Sequence, residues 1–513
     1  MRWRFGAVAI AAVVAVLVAG CSPEARWVDR PVSSGPSVNP GTVAWRNCAN
    51  EARQIAGSGL PSGLTFQCGT VTVPQDWATA TPDGKASDGR TFDVDLIRIR
   101  ANGQTNRIGS LLLNPGGPGA SGFEFAVLVV SRYTDLLKRF DLIGFDPRGV
   151  GRSDPVKCLS DQDLDASFAF EPDPVSRAAF DGAVELTRKT VTPCGTKYGE
   201  QLRLFSTEQA ARDMDAIRAA VGDEKLTYLG YSYGTLLGAV YAQLFPTKIR
   251  ALVLDGAIDP QDSPIEGAEV QAKGFERAFA NFSQWCSSTP TRCPIAPDAR
   301  AAVTAALDQA RTRPVRDKDG RLASAGWVLT AVVSSLYSQE AWPYLARAIS
   351  DLGKGNADFT FLLADLYAER DDKGHYSNLF DALNAVNCAD TDDVPTLEQI
   401  RTLQGQWRTT YPMFGAPIAM GLVSCVVWPG KHDPYPVGPA TGAPPIVVVG
   451  TTGDPATPYE STAKLATMLG TGIVLTWEGE GHTAYPETTC IKNAVNRYLI
   501  DLTAPAEGTR CPA

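Results

Sequence analysis

Short unbroken apolar runs recur along the chain, and between them apolar positions return with the period of a helix. The runs near Leu111–Leu113, Phe140–Phe145, Leu226–Leu229, Arg250–Asp255, Ile446–Val449 and Gly472–Trp477 read as strands buried on both faces. Gly69–Val73 and Phe92–Arg98 alternate apolar with polar residues instead. That is the pattern of strands with one wet face, expected at an antiparallel edge. Helical patterns such as Glu208–Ala220 intervene, as parallel strands require of their crossovers. The expected fold class is therefore α/β, with an eight-stranded, mostly parallel sheet. Between Asp255 and Pro445 lie about 190 residues of helical periodicity, as at Ala268–Cys286 and Ala301–Ala310. This is too long for a loop. It predicts a helical insertion over 261–440, dividing a core made of 45–260 and 441–513, with its last part merging into the C-terminal portion. No internal repeat is visible.

The first residues follow a different pattern. Arg2 and Arg4 precede an apolar run from Phe5 to Ala19, then Gly20 and Cys21. A basic start and a short apolar stretch mark 1–20 as a secretory signal peptide. Val18-Ala-Gly-Cys21 has the form of a bacterial lipobox, which implies cleavage before Cys21 and lipidation of its thiol. Ordinary cleavage, giving a freely secreted protein, is the alternative. Residues 21–44, rich in Pro, Ser and Gly, suit a flexible tether. No second apolar run is long enough to span a bilayer. The N-terminal lipid would then be the sole membrane contact, at the outer face of the cell membrane or in the cell envelope.

Composition narrows the partners. The net charge is −9, and −11 once Arg2 and Arg4 are removed. That argues against nucleic acid and anionic membrane surfaces. Setting Cys21 aside leaves ten cysteines, none spaced as Cys-x-x-Cys, so neither a zinc site nor a redox motif is indicated. In an oxidising compartment five disulfides follow. Sequence does not fix their connectivity. Pairing of neighbours is the expectation, because each pair falls within one loop or subdomain: Cys48–Cys68, Cys158–Cys194, Cys286–Cys293, Cys388–Cys425 and Cys490–Cys511.

Candidate chemistry sits at strand ends. Residues 230–234 read Gly-Tyr-Ser-Tyr-Gly between a strand-like run and a helix-like stretch. A sharp strand-to-helix turn holds a serine hydroxyl clear of the backbone, which makes Ser232 a candidate nucleophile; its bland alternative is an N-cap serine. After the 446 strand comes Gly-Asp454-Pro-Ala-Thr-Pro, where a loop carboxylate could orient an imidazole. After the 473 strand comes Glu-Gly-Glu-Gly-His482. The chain has three His, and neither His375 nor His432 follows a core strand. His482 is thus the candidate base and Asp454 its orienting acid. Leu111 leads into Asn-Pro-Gly-Gly-Pro-Gly-Ala-Ser-Gly122, a loop able to supply an oxyanion-hole amide. Prolines cannot donate, so Gly117 is the candidate loop donor and Tyr233 the second. No Gly-Lys-Ser/Thr closes that loop, which speaks against phosphate binding. Asp146 and Arg148, in Asp-Pro-Arg-Gly-Val-Gly-Arg-Ser153, are read as a structural ion pair bracing the neighbouring loop.

Together these motifs resemble the secreted actinobacterial hydrolases of the proline-iminopeptidase/tripeptidyl-aminopeptidase family. Within it they are similar to the mycobacterial cell-envelope carboxylesterases and proteases. The likeness runs from about residue 45 to the C-terminus and includes Leu254–Pro260, Asn387–Asp390 and Ser424–Pro429. It implies an α/β-hydrolase fold, with the helical insertion acting as a cap or lid. It also implies the roles given above to Ser232, Asp454 and His482. In close relatives a Thr three residues after the acid affects activity; here that is Thr457, whose alternative role is to brace the loop through an ST-turn.

The expected reaction is two-step acyl transfer without metal or organic cofactor, by a monomer acting on peptide or acyl-ester substrates. An aminopeptidase releasing short N-terminal peptides would need an anion for the substrate amine, and Glu124 and Asp390 are candidates. A carboxylesterase would need an apolar acyl pocket instead; Trp285 and Trp342 could line one, or belong to a core. A third reading is an inactive ligand-binding lipoprotein on the same fold. It conflicts with the presence of every catalytic part.

Overall fold

The computed structural model describes residues 41–391 and 393–513. The expected signal peptide, Cys21 and most of the tether lie outside the described residues. At the tether's end the boundary needs correction. Val43 is already buried in the core, its N–H directed at the carbonyl of Ala220, so the packed body starts before residue 45.

In chain order the strands are β1 (Arg46–Asn47), β2 (Leu64–Pro74), β3 (Thr91–Ala101), β4 (Gly109–Asn114), β5 (Phe140–Phe145), β6 (Leu226–Tyr231) and β7 (Ile249–Asp255). A short hairpin, β8 (Val315–Arg316) and β9 (Leu322–Ala323), precedes β10 (Ile446–Gly453), β11 (Gly472–Glu480) and β12 (Thr509–Pro512). Ten of these form one sheet, in the order β1-β2-β3-β5-β4-β6-β7-β10-β11-β12. All eight expected strands are present. The count was low by β1 and β12, which are two and four residues long and cap opposite edges. β1, β2, β3 and β5 pair antiparallel in succession, and every other neighbour in the large sheet is parallel.

Burial explains these elements. Every residue of β4, β5 and β6 is buried, as helices covering both faces demand, whereas β2 and β3 alternate. The chain leaves β4 toward β5 on one side and later returns to β6 on the other. Such a reversal opens a crevice at the carboxyl ends of β4 and β6, where α/β sheets place their ligands.

Between β7 and β10 the chain is helical, including Pro264–Ser288, Ala299–Thr312, Ala325–Leu336, Trp342–Leu352, Asp358–Ala368, Leu379–Asp390 and Leu397–Thr410. Its first part builds a second apolar core around Phe279, Phe282, Trp327, Trp342 and Leu345, which Leu159, Leu164 and Ala456 join from outside the insertion. Trp285 and Trp342 meet there edge to face, centroids 5.9 Å apart, so they fill the interior of this segment. Later residues such as Ile400, Trp407 and Val423 join the apolar cluster under the sheet. The ten cysteines pair as neighbours: Cys48–Cys68, Cys158–Cys194, Cys286–Cys293, Cys388–Cys425 and Cys490–Cys511. Bridges of this kind are typical of exported proteins. Among the described residues no helix is long and apolar enough to cross a membrane.

Candidate active site

β6 stops at Tyr231, the helix Tyr233–Leu244 starts two residues later, and Ser232 makes the turn with φ 55° and ψ −122°. A non-glycine residue held there carries about 1–3 kcal/mol of strain, which the surroundings must over-determine. Three hydrogen bonds do so. Ser232 N–H donates to the Asp255 carbonyl at 2.8 Å, and the Ser232 carbonyl accepts from Thr235 N–H and Thr235 Oγ1, each at 2.7 Å. The turn is also too tight for side chains on either flank. A Cβ on Gly230 would lie 2.4 Å from the Gly234 carbonyl oxygen, and one on Gly234 would lie 2.9 Å from Asn114 Oδ1.

The loops after β10 and β11 meet beside this turn. Both Asp454 carboxylate oxygens lie 2.9 Å from His482 Nδ1. The same carboxylate accepts from the amides of Ala456 and Thr457 at 2.9 Å, from Thr457 Oγ1 at 3.1 Å and from Thr483 N–H at 3.1 Å. Thr457 Oγ1 is also 3.3 Å from His482 Nδ1, so this hydroxyl touches acid and base together. Ser232 and Asp454 are fully buried, and the His482 side chain is 4% exposed. Ser232 Oγ and His482 Nε2 are both buried without a hydrogen-bond partner among the described residues. They are therefore not bonded to each other here, a looseness common in unliganded sites.

The glycine-rich loop completes the crevice. A side chain on Gly116 would meet Ser232 Cβ at 2.9 Å and Tyr233 N at 3.2 Å, which measures how closely the loop approaches the turn. Gly116 N–H is taken by Asn114 Oδ1 at 2.9 Å, leaving Gly117 as the next amide in the loop. Tyr233 N–H opens the helix after the turn, where unbonded amides and the helix dipole favour negative charge.

Above the base lie aromatic rings of the helical insertion. Tyr337 packs edge-on against the His482 imidazole, centroids 5.2 Å apart, and its carbonyl accepts His482 N–H at 2.8 Å. Phe275 and Tyr367 flank Tyr337, and Phe414 stacks on Phe275.

Other sequence-derived candidates are placed differently. Asp390 is not a substrate-facing anion. It is buried, and its oxygens accept from Thr207 N–H at 2.8 Å and Thr207 Oγ1 at 2.6 Å. The same Thr207 hydroxyl bonds Tyr233 Oη at 2.6 Å, so Asp390 braces the helix start from behind. Burial pushes its carboxyl up to about 8. Asp146 and Arg148 do not pair with each other. Arg148 makes a bidentate, buried pair with Asp213, whereas Asp146 accepts from Ser121 Oγ and the amides of Phe123 and Arg152. Glu124 stays exposed on the first turn of the helix Gly122–Val129. Its charge is felt by Glu369 of the insertion, which the sequence reading missed. Burial pushes the Glu369 carboxyl up to about 7, and the charges of Glu124 and Asp146 add to this. Glu369 precedes Arg370-Asp-Asp-Lys373 and reads as part of a solvated charge run, so no sequence signal marks it. His375 and His432 lie on the surface, on Asp161 and the Cys388 carbonyl respectively. The described residues present one cluster of metal-ligand type, Cys158, Cys194 and Asp381, and its two thiols are consumed in a disulfide.

Comparison with known proteins agrees with this geometry. The family model for the alpha/beta hydrolase fold matches residues 109–487. The chain is 38% identical to serine protease Hip1 of Mycobacterium tuberculosis over 488 residues, covering 91% of each protein. It is 38% identical to carboxylesterase B of the same organism over 468 residues, covering 87% of this chain and 86% of that one. Tripeptidyl aminopeptidase of Streptomyces coelicolor is 31% identical over 492 residues, with 91% and 86% covered.

Proposed function

We propose that this chain, which belongs to the alpha/beta hydrolase fold family and is a serine hydrolase, releases short peptides from free N-termini through Ser232, His482 and Asp454. Ser232 Oγ attacks the carbonyl carbon while His482 Nε2 takes its proton. Asp454 holds Nδ1–H and steadies the imidazolium, and the amides of Gly117 and Tyr233 receive the oxyanion. His482 then protonates the leaving amine, and water releases the acyl group by the same steps.

One observation carries this reading. The carboxylate–imidazole contact at 2.9 Å and the strained serine turn meet at a crevice where Ser232 Oγ and His482 Nε2 are both among the unsatisfied atoms. Buried polar atoms without partners are costly, and their persistence suits groups reserved for a substrate. Substrate entry then requires displacement of the aromatic cap. The aminopeptidase preference rests on Glu124 and Glu369. An incoming ammonium near them would offset the burial, and the added like charge, that hold the Glu369 proton. The aromatic wall of Tyr337, Phe275 and Phe414 favours a second reading, hydrolysis of apolar acyl esters. At the N-terminus, Val18–Cys21 supports lipid anchoring, and Cys21→Ala should move the protein from the membrane fraction to the medium.

The test is fluorophosphonate labelling of wild type and Ser232→Ala, followed by short peptides with free and acetylated N-termini. Labelling that survives Ser232→Ala would refute the site. Equal cleavage of both peptides, or ester cleavage alone, would transfer the assignment to a carboxylesterase.

A further inference from the structure

The loop that carries the base is tied down at four consecutive amides. His482 N–H goes to the Tyr337 carbonyl at 2.8 Å and Thr483 N–H to Asp454 at 3.1 Å. The next two go to a residue without a role in the reaction. Ala484 N–H reaches both oxygens of Asp255, at 3.0 and 3.1 Å, and Tyr485 N–H reaches one of them at 2.7 Å. Asp255 ends β7 and is fully buried. Its own carbonyl accepts Ser232 N–H at 2.8 Å. Directly after it, a Cβ on Gly256 would sit 3.3 Å from His482 Cε1, so the imidazole rests against this strand end. No cation pairs with the Asp255 carboxyl among the described residues, and backbone amides are what satisfy it.

We propose that Asp255 is a positioning residue, a buried carboxylate joining the backbone of the Ser232 turn to the backbone of the His482 loop and so setting the distance between nucleophile and base. The role rests on the site assignment above. A side chain serving stability alone could be neutral and apolar, because burying a carboxylate without a cation is costly. The geometry instead gives one residue a hold on both reacting partners through opposite ends of itself. Asparagine keeps the size and one acceptor oxygen but turns an NH2 toward one of the loop amides. The loop then shifts and the proton transfer suffers, whereas substrate binding does not.

The experiment compares full-length wild type, Asp255→Asn, Asp255→Ser, Asp141→Asn and Ser232→Ala on a short acyl ester. Rates are expressed per active site titrated with fluorophosphonate, so misfolded molecules are not counted; Ser232→Ala, which has no serine to titrate, is measured per mole of folded protein. Asp141 is the control. It is equally buried, and it holds Arg100 and Arg107 at the opposite end of the sheet. Both Asp255 variants should lose about 10²-fold in kcat per titrated site with KM unchanged, as small misplacements do. Asp141→Asn should lower the melting temperature and leave kcat intact. Wild-type kcat in the Asp255 variants, or an equal loss in Asp141→Asn, would overturn the positioning role while a dead Ser232→Ala keeps the site. An active Ser232→Ala would remove both.

Discussion

The loops at the carboxyl ends of the parallel strands and the helices lying over them are built on different principles. In the loops, directed hydrogen bonds hold the acid, the base and the serine backbone. Asp454 collects donors from Ala456, Thr457, His482 and Thr483, and Ser232 is fixed through its own N–H and carbonyl. Over them, the Tyr337 ring packs on the base, with Phe275 and Tyr367 against Tyr337 and Phe414 against Phe275. Hydrogen bonds fix direction as well as distance, and proton transfer depends on both. Ring packing fills volume and tolerates change of shape. Under the proposed function, the chemistry is written into the sheet and the choice of substrate into the segment above it.

The sharpest way to break this division is at the loops. Ser232→Ala and His482→Ala should each reduce kcat by about 10⁶, the scale known for such groups, with little change in melting temperature. Substantial ester hydrolysis by either would end the assignment. Asp454→Asn should lose about 10⁴, less than either, since it spoils the tautomer and removes neither nucleophile nor base. In the upper region effects should be smaller and selective. Glu369→Gln should cut the preference for free over acetylated peptide N-termini by about tenfold and spare ester turnover. A parallel fall in ester kcat would mean that the insertion takes part in the chemistry.

The smallest effect concerns stability. Burial pushes the carboxyls of Asp146, Glu369 and Asp390 up to about 6, 7 and 8. Each holds a proton in the folded state that the unfolded chain has released, so stability falls as pH rises from about 5 to 8. The melting temperature should be higher at pH 5 than at pH 8, and Asp390→Asn should flatten that slope. A melting temperature that climbs through this window would contradict it.

The strands were legible because each buries a run long enough to declare its period; β1 and β12 are too short to have one. Ser232, Asp454 and His482 could be read because the fold orders them along the chain at predictable strand ends. What could not be read depends on partners distant in sequence. Arg148 turns to Asp213, 65 residues on, because both are buried where Asp146 is already occupied. Asp390 resembled any surface acid until its burial against Thr207 was visible. Asp255 was legible only as the end of a buried strand, and the loop it holds lies 229 residues away.

The disulfides have a consequence for biogenesis. Their partners are 7 to 37 residues apart, and each bridge lies wholly on one side of the boundaries of the helical insertion. A chain emerging from its N-terminus into an oxidising compartment presents both thiols of a pair almost together, and closing so short a loop costs little entropy. Oxidation can therefore proceed bridge by bridge before the sheet has gained its last strands. Among the described residues no disulfide joins the insertion to the sheet, so the finished molecule is cross-linked within its parts and held together between them by packing and hydrogen bonds.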